Sequence, residues 1–396
     1  MSDNSSGEPR ASIHEIAIVM PCLNEVETVA TCVEKAVRWL EQAGVDGEVI
    51  VADNGSTDGS QQAAEAAGAR VVPVSEKGYG SALSGGIQAA RSRYVIMGDA
   101  DDSYDFTDLS PFLTKLREGN DLVQGCRLPA GGGKVLAGAM PFSHRWFGNP
   151  LFSFLARTWF GAPIHDIYCG LRGFSKSLFQ RLDQRCTGME FATEMIIKAS
   201  LRREKIAEVP IILHPDGRKT RAPQLKTIRD GWRTLRFFLV SSPRWLFLWP
   251  GIWLLAFGLV GYGVALSRLT LGGVTFDAHT LLFASLALLC GSQSVMFAFL
   301  TKFFAITERL LPPDPRLDHA FKYITLETGL VGGSLGVVCG IALLSCAIVV
   351  WGYNGWGQLD YSRVMRFVIP GATLTALGVQ TILFSFFMSI LGLKRK

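Results

Sequence analysis

The sequence predicts an α/β domain with a mainly parallel sheet, followed by a basic amphipathic segment and a four-helix transmembrane domain. Short apolar runs alternate with helical stretches in the first part of the chain, as they do in parallel sheets. Charge then falls: residues 1–243 hold 28 of the 39 Lys and Arg and 28 of the 34 Asp and Glu, whereas residues 244–396 hold 11 and 6. This distribution excludes a wholly water-soluble protein.

The first strand is predicted at residues 16–20, which are apolar and end at Pro21, and a helix follows from Thr28 to Gly44. Three more strands and two more helices alternate after it: strands at Glu48–Ala52, Arg70–Val74 and Tyr94–Met97, and helices at Ser60–Ala67 and Ser81–Ala90. Parallel strands end at one edge of a sheet, where ligands gather. The Asn, Asp and Gly residues after these strands therefore indicate the functional edge.

A basic segment follows the α/β domain. Residues 198–236 carry 11 basic and 4 acidic residues, with Trp232, Phe237 and Phe238 in or beside the segment. Two interpretations stay open, namely simple juxtamembrane positive charge and an interfacial helix that binds an anionic lipid headgroup.

The last part of the chain contains four uncharged stretches, each longer than the roughly 20 residues that cross a bilayer. We predict transmembrane helices near 245–266, 280–301, 328–351 and 367–391. The predicted divisions are a disordered N-terminus at 1–14, the α/β domain at 15–215, basic interfacial helices at 216–243 and the transmembrane domain at 244–396.

Positive charge in the loops predicts the orientation of these helices. The 302–323 loop carries four Lys and Arg residues and the chain ends in Lys394-Arg395-Lys396, whereas the 267–279 loop has only Arg268. Since Lys and Arg are retained on the cytoplasmic side, we expect both termini and the α/β domain to be cytoplasmic. The polar first residues lack the apolar core of a signal peptide. The expected location is therefore an integral multi-pass position in a bacterial cell membrane.

Asp99-Ala100-Asp101 follows the fourth predicted strand. Two adjacent carboxylates repel each other unless a cation or protons relieve the repulsion. Mg²⁺ or Mn²⁺ would do so, because such ions take oxygen ligands and commonly use one or two protein carboxylates together with substrate phosphates. Asp pairs are also frequent in turns, so the pattern alone leaves a purely structural turn as an alternative.

Several motifs in order resemble the family 2 glycosyltransferases with the Rossmann-like GT-A fold. They are Pro21-Cys22-Leu23-Asn24-Glu25, residues 53–59, Lys77-Gly78-Tyr79-Gly80 and Asp99-Ala100-Asp101. Further motifs resemble the polyprenyl-phosphate hexose synthases, which include dolichyl-phosphate mannose synthase and bacterial glucosyl equivalents: Gly125-Cys126-Arg127, residues 166–172 and Glu208-Val209-Pro210-Ile211.

The resemblance implies a nucleotide-binding site. Pro21, Asn24 and Glu25 would line the base and ribose, and Asp53 would accept hydrogen bonds from the base. A turn after a strand explains Pro21 and Asn24 equally well. The resemblance further implies that Gly78 and Gly80 let the backbone approach the nucleotide. It also implies that Asp99, the first Asp of the metal motif, faces the diphosphate.

The resemblance also implies a metal site. Asp99 and Asp101 match the motif that holds Mg²⁺ or Mn²⁺ against the donor diphosphate. Mannosyl members offer a third ligand two residues after the second Asp, and this chain has Ser103 there. The metal would act as a Lewis acid on the leaving nucleoside diphosphate.

The implied reaction centre comprises Asp166, Asp101 and Arg127. A lipid phosphate has a second pKa near 6 and needs little deprotonation at neutral pH, so Asp166 would orient substrate and act only secondarily as a base. A helix N-cap or an ion pair with Arg172 is the alternative for Asp166. Four arginines are candidates for the acceptor phosphate: Arg127, Arg145, Arg218 and Arg221. Glu190 and Glu194, at helical spacing, fit either a sugar contact or an exposed helix face.

The predicted activity is an inverting transfer of a hexose from a nucleotide sugar to undecaprenyl or dolichyl phosphate. UDP-glucose is weakly preferred over GDP-mannose, because the Asp99–Ser103 stretch departs from the mannosyl pattern. A processive polysaccharide synthase is disfavoured, since the Q-x-x-R-W pattern is missing and all predicted helices are C-terminal. A non-catalytic scaffold or flippase partner is the alternative of another class. We expect the protein to associate with a membrane and not to bind nucleic acid. The sequence is compatible with a homo-oligomer.

Overall fold

The structure is a computed structural model that describes residues 13–218, 227–267, 270–271, 274–307, 311, 314, 325–358 and 360–393. The chain divides into two compact units, Met1–Phe238 and Leu239–Lys396. We describe each unit by itself.

The first unit is built on a seven-stranded sheet with the order β3-β2-β1-β4-β7-β5-β8. Its described strands, with two short ones outside this sheet, are β1 His14–Cys22, β2 Gly47–Asp53, β3 Arg70–Pro73, β4 Ser92–Met97, β5 Leu122–Cys126, β6 Lys134–Val135, β7 Arg172–Ser175, β8 Ile206–Pro210 and β9 Ile212–Leu213. The helices are α1 Val29–Ala43, α2 Ser60–Ala66, α3 Tyr79–Ala89, α4 Ser110–Arg117, α5 Asn149–Phe160, α6 Lys176–Leu182, α7 Glu190–Leu201 and α8 Thr227–Ser241. The mainly parallel α/β fold expected from the sequence is confirmed.

Strand direction places the loops of interest at one edge. β1 is parallel to β2 and β4, β2 to β3, and β5 to β8. β7 is antiparallel to both of its neighbours, β4 and β5. The segment that leads into β7 therefore lies at the edge where the parallel strands end. The loops after β1, β2, β4 and β5 and the segment before β7 meet there.

The sheet is covered on both faces, which explains the unbroken apolar run of β1. Ile16, Ile18 and Met20 belong to one buried core, and Ala17 and Val19 belong to the other. Successive strand residues point to opposite faces, so a strand that is buried on both sides has no polar position.

The N-terminal boundary differs from the expectation. Disorder was expected for 1–14, but His14 begins β1 and its backbone N–H donates to the carbonyl of Arg91 at 2.8 Å. Residues 1–12 lie outside the described part of the chain. The contact with the residue before β4 explains why pairing begins at His14.

Among its described residues, the second unit contains four helices that are long and apolar enough to cross a membrane: Arg244–Leu266, Ala278–Thr307, Leu326–Tyr353 and Arg363–Leu391. The first comprises a π-helical turn, Arg244–Leu248, and α9, Trp249–Leu266. The others belong to α10 Ala278–Thr307, α11 Leu326–Tyr353 and α12 Tyr361–Leu393. A two-stranded hairpin pairs β10 Thr270–Leu271 with β11 Val274–Thr275.

Candidate active site

The loops after β1 and β2 are joined at the strand-end edge. The backbone N–H of Asn24 donates to Ser56 Oγ at 2.9 Å, and Asn24 Oδ1 accepts from the backbone N–H of Thr57 at 2.8 Å. Asn24 has a positive φ of 59°, which Asn tolerates better than most residues. Pro21 is half-buried near the end of β1. Asn24 therefore holds the two loops together, whatever it also contacts.

Asp53 orders the loop that follows it. Its side chain accepts from the backbone N–H of Gly55 at 3.0 Å, from that of Ser56 at 3.2 Å and from Gln61 Nε2 at 2.6 Å. The residue is 1 % exposed. These contacts give Asp53 a structural role that the sequence did not indicate, and its contact with a base stays a prediction.

Gly78 and Gly80 allow a close approach to the chain itself. A Cβ atom on Gly78, whose φ is 136°, would lie 2.2 Å from the carbonyl oxygen of Thr187. A Cβ atom on Gly80 would lie 2.5 Å from the carbonyl oxygen of Cys186. The small residues at the start of α3 are thus required by packing against residues 186–188, which differs from the reason given by the resemblance.

The two carboxylates of the metal motif sit after β4. Tyr79 donates its hydroxyl to Asp99 Oδ1 at 2.8 Å, and burial raises the pKa of that tyrosine, so it stays protonated. Burial also raises the pKa of the Asp99 carboxyl to about 6, and the charge of Asp101 adds to the rise. Asp101 Oδ1 accepts from the backbone N–H of Ser103 at 3.1 Å and from its hydroxyl at 2.6 Å.

Arg218 reaches this motif, which the sequence did not indicate. Its Nη1 donates to Glu25 Oε1 at 3.0 Å, its Nε donates to Asp216 Oδ1 at 2.9 Å, and its Nη2 lies 3.6 Å from Asp101 Oδ2. The bonds with Asp216 and the nearby Glu25 and Asp101 charges hold the pKa of the guanidinium above its ordinary value. In the structure Arg218 therefore compensates acidic groups of the site, whereas the sequence placed it among the lipid-phosphate arginines. Arg221 lies outside the described residues.

Arg127 and Asp166 form one buried ion pair. Arg127 Nε donates to Asp166 Oδ2 at 2.7 Å and Nη2 donates to Oδ1 at 2.9 Å. Asp166 is 0 % exposed and Arg127 is 8 % exposed. Arg172, considered above as the partner of Asp166, instead donates to the carbonyl oxygens of Cys169 and Ala192. The two residues that the resemblance assigned to separate roles thus act on each other.

Three polar side chains hold the Asp166 segment in place. Gln124 on β5 donates to the carbonyl oxygens of Asp166 and Cys169, each at 3.0 Å. Glu208 Oε1 accepts from the backbone N–H of Asp166 at 3.2 Å, and Ser153 Oγ on α5 accepts from that of Ile167 at 3.1 Å. Gln124 and Ser153 were not predicted from the sequence as supports of this segment. Gln124 is a polar residue inside a buried strand, which is the signal that would have identified it.

Arg145 and Glu194 are the remaining candidates, and only Arg145 has a buried polar atom without a partner in the described residues. Arg145 lies in a π-helical turn, His144–Gly148, with its guanidinium 5.4 Å from the ring of Trp146. The Nε atom of Arg145 is buried and has no hydrogen-bond partner within the described ranges. Glu194 is 3 % exposed, accepts from the backbone N–H of Cys186 at 2.9 Å and pairs with Lys198 at 2.7 Å. Glu194 is therefore a loop anchor, and the exposed helix face considered for it is wrong.

The carboxylate pair has the chemistry of a divalent-cation site. Within the part of the chain that the structure describes, no group of three or more His, Cys, Asp or Glu side chains could hold a metal by itself. Asp99 and Asp101 offer hard oxygen donors, and the effect of Asp101 on the Asp99 pKa reports the repulsion that a cation would relieve. The residues fit an ion that completes its coordination with substrate phosphate and water.

Comparisons with known proteins agree with this geometry. Residues 17–183 match the model of glycosyl transferase family 2, and residues 299–392 match that of the glycosyltransferase family 2 C-terminal transmembrane region. The low-salt glycan biosynthesis hexosyltransferase Agl6 of Haloferax volcanii is 35 % identical over 378 residues, which are 95 % of this chain and 89 % of that protein. A dolichyl-phosphate hexose transferase of the same organism is 32 % identical over 50 % of this chain and 82 % of its own length.

A solved structure of glucosyl-3-phosphoglycerate synthase from Mycobacterium tuberculosis, in complex with Mn²⁺, UDP-glucose and phosphoglyceric acid, is also similar. The match covers 60 % of this chain and 85 % of that chain, at 23 % identity and a TM-score of 0.46. The matched domains and the full-length relative establish a membrane-bound glycosyltransferase. The chain belongs to glycosyltransferase family 2 and carries both the catalytic domain and the C-terminal transmembrane region of that family.

Proposed function

We propose that this glycosyltransferase transfers a hexose from a nucleotide sugar to a membrane polyprenyl phosphate with inversion at the anomeric carbon. The observation that carries the proposal is that the Asp99–Asp101 carboxylates and the buried Arg127–Asp166 pair lie at one sheet edge, in a chain whose described residues include four helices able to cross a membrane. The relative named as a dolichyl-phosphate hexose transferase supports the acceptor class.

The donor would bind at the ends of β1, β2 and β4. Asp99 and Asp101 would hold Mg²⁺ or Mn²⁺, and Ser103 would help through its bond with Asp101. When bound, the cation stabilises the negative charge that develops on the leaving diphosphate. Arg218, whose guanidinium lies near Asp101 and Glu25, would interact with the negative charge of the same diphosphate. We retain UDP-glucose as the preferred donor over GDP-mannose.

Asp166 is best assigned as a positioning residue. Both of its oxygens are occupied by Arg127, so they hold the guanidinium in one orientation and are poorly placed to accept a proton from substrate. A lipid phosphate is already largely dianionic at neutral pH, since its second pKa is about 6. The transfer therefore depends more on a guanidinium fixed in one orientation than on a general base.

The acceptor phosphate would meet arginine at this site. Arg127 is fixed by Asp166, and Arg145 has a buried Nε without a partner in the described residues. An arginine fork suits a phosphate better than a lysine does. Arg145 is therefore the better candidate for direct contact, whereas the guanidinium of Arg127 is held by Asp166. A phosphate oxygen attacks C1 of the hexose opposite the leaving diphosphate, the C1–O bond to that diphosphate breaks, and the single displacement inverts the centre.

The test is transfer of radiolabelled hexose by the purified full-length chain. UDP-glucose and GDP-mannose are each offered with undecaprenyl or dolichyl phosphate, with Mg²⁺ or Mn²⁺ and with an EDTA control. Asp101→Asn should abolish labelled lipid. Asp102→Asn is the matched control, because Asp102 pairs with Lys35 at 2.7 Å and its φ of 60° suits Asn. If neither donor labels lipid with the unaltered chain, although that chain still binds nucleotide, the lipid-phosphate acceptor is refuted.

A further inference from the structure

A row of large apolar side chains lies exposed on the catalytic unit. It follows the helical segment from the π-helical turn at His144–Gly148 into α5, and we call it the α5 surface. Its members are Phe142 at 72 %, Trp146 at 55 %, Phe147 at 68 %, Leu151 at 54 % and Phe154 at 55 % exposure. The ring of Phe142 lies 6.4 Å from that of Trp146 and 6.3 Å from that of Phe147. Leu151 follows Phe147 by four residues and Phe154 follows Leu151 by three, the spacings of neighbours on a helix surface. A contiguous exposed apolar patch of this kind marks an interaction surface.

The opposite side of the same helix is fully engaged in the fold. Ser153 and Ala156 are 0 % exposed, and Phe160 is 6 % exposed. The ring of Phe160 lies 5.4 Å from that of Phe238, which is itself buried. This buried side of the helix supplies its contacts with the core, so the α5 surface is not needed to hold the helix in place.

The stretch of chain that carries this surface has charged residues of one sign only. Residues 122–165 contain no Asp and no Glu, but they contain four cations: Arg127, Lys134, Arg145 and Arg157. Arg145 lies beside Trp146 and Arg157 follows Phe154 on the helix, so the apolar row has a cation near each end. Exposed aromatic rings flanked by cations are the composition of helices that lie in the lipid headgroup region.

We propose that the α5 surface lies in the headgroup region of a bilayer that contains anionic lipid. The same chain carries four helices that can cross a membrane, so a bilayer is permanently tethered to the catalytic unit. A second copy of the chain would fit less well, because it would bring like charges of Arg145 and Arg157 together without acidic residues from this stretch to pair them.

The seating of this helix would bear on the active site. Ser153, on the buried side of α5, accepts a hydrogen bond from Ile167, the residue next to Asp166. A helix held at the headgroups would therefore also restrict the position of the Asp166 segment relative to the bilayer surface. This consequence rests on the proposed function, whereas the seating itself does not.

The experiment uses the full-length chain in nanodiscs of phosphatidylcholine and phosphatidylglycerol, without donor or acceptor. Photoreactive benzoylphenylalanine replaces Phe147 in one variant, Phe154 in a second and Glu41, exposed on α1, in a control. Aromatic replacement of an exposed ring leaves the core intact, which equal elution profiles and Tm values would verify.

Irradiation should give phospholipid adducts at positions 147 and 154, detected by mass, at a yield at least tenfold above position 41. Adducts at none of the three positions, or equal yields at all three, would overturn the proposal. Protein–protein cross-links at 147 in place of lipid adducts would also overturn it, by showing a second copy. Because no substrate is present, this outcome is independent of whether transfer to a polyprenyl phosphate is observed.

Discussion

Arg127 and Asp166 are both charged and both buried, so neither is tolerable without the other. Removing one partner of a buried pair typically costs about 3–5 kcal/mol, because it leaves an uncompensated charge. Asp166→Asn should therefore lower the Tm sharply and abolish transfer. The double variant Arg127→Met with Asp166→Leu should recover most of the Tm and none of the activity.

Thermal unfolding in detergent, read beside the transfer assay, measures both effects. A double variant no more stable than Asp166→Asn would show that the pair is not the source of the instability. Recovered transfer in the double variant would show that the guanidinium does not act at the site.

Gly78 offers a separate residue-level prediction. Gly78→Ala would place a Cβ 2.2 Å from the carbonyl oxygen of Thr187, in addition to the strain of a positive φ. Gly44→Ala is the matched control, since Gly44 has a φ of 61° and a Cβ atom added there would meet nothing within 4 Å. The control should cost about 1–2 kcal/mol from backbone strain alone. Gly78→Ala should cost clearly more and weaken nucleotide binding, as measured by Tm and by titration with UDP; equal losses would contradict the packing argument.

Single residues were predictable where a local motif carried them. Asp99 and Asp101 lie in one short motif after a strand, and their mutual effect follows from adjacency. The partner of Arg127 is 39 residues away along the chain, so no spacing rule indicates it. Arg218 was assigned to lipid because its sequence neighbours are basic, yet its spatial neighbours are acidic and include Glu25, 193 residues away. Local composition does not report such long-range contacts.

Among the elements, the strand–helix alternation up to β4 was predicted closely, and the rest of the sheet was not. The first strands are continuous apolar runs, because both faces of the sheet are covered. β5 contains Gln124, and β7 begins with the fully buried Arg172. Gln124 Nε2 and Arg172 Nη2 donate to backbone carbonyls of the segment that precedes β7, so these buried strands contain polar residues and show no continuous apolar pattern.

The α5 helix carries a prediction of its own. Ser153→Ala removes the acceptor for the Ile167 N–H and should cost about 1–3 kcal/mol, the range for a buried donor left without a partner. It should lower kcat more than donor binding, since the Asp166 segment loses a support and the donor loops do not. Thr158→Ala is the control on the same helix, because its exposed hydroxyl bonds only the carbonyl of Phe154 among the contacts described.

Steady-state kinetics and UDP titration separate the two effects. Equal behaviour of the Ser153 and Thr158 variants would remove α5 from the support of the active site. A proportional loss of donor binding and kcat would point to general destabilisation.

At the scale of the whole molecule, the four membrane helices were predicted within a few residues at most ends, because a bilayer imposes long uncharged stretches. α10 extends to Thr307, past the predicted end near 301, since a helix can continue beyond the apolar stretch. The α5 surface, which we propose to face lipid, was not predicted from the sequence. The number of basic residues favoured residues 198–236 as the segment that binds the membrane. Residues 122–165 have fewer cations but no Asp or Glu, which is a weaker indication of a lipid-binding segment.

This charge distribution predicts a lipid effect on the whole enzyme. Transfer should be faster in nanodiscs with phosphatidylglycerol than in phosphatidylcholine alone, because anionic headgroups attract the cationic stretch. Raising the salt concentration should reduce the difference, as the screening length falls from about 8 Å at physiological salt to about 3 Å at 1 M. The measurement is the initial rate in each lipid at low and high salt. A rate ratio that does not change with salt would exclude an electrostatic cause.

The position of the antiparallel strand β7 late in the chain has a consequence for the order in which the sheet can assemble during synthesis. The four strands β3, β2, β1 and β4 lie within residues 14–97 and can pair as soon as they leave the ribosome. β5 has to wait, because its neighbours β7 and β8 begin only at residues 172 and 206. A nascent chain shorter than that holds Asp99 and Asp101 on a half-sheet to which Arg127 has not yet been joined. We therefore expect a nascent chain that ends before β8 to transfer no hexose, even though the strands whose ends would bind the donor are already complete.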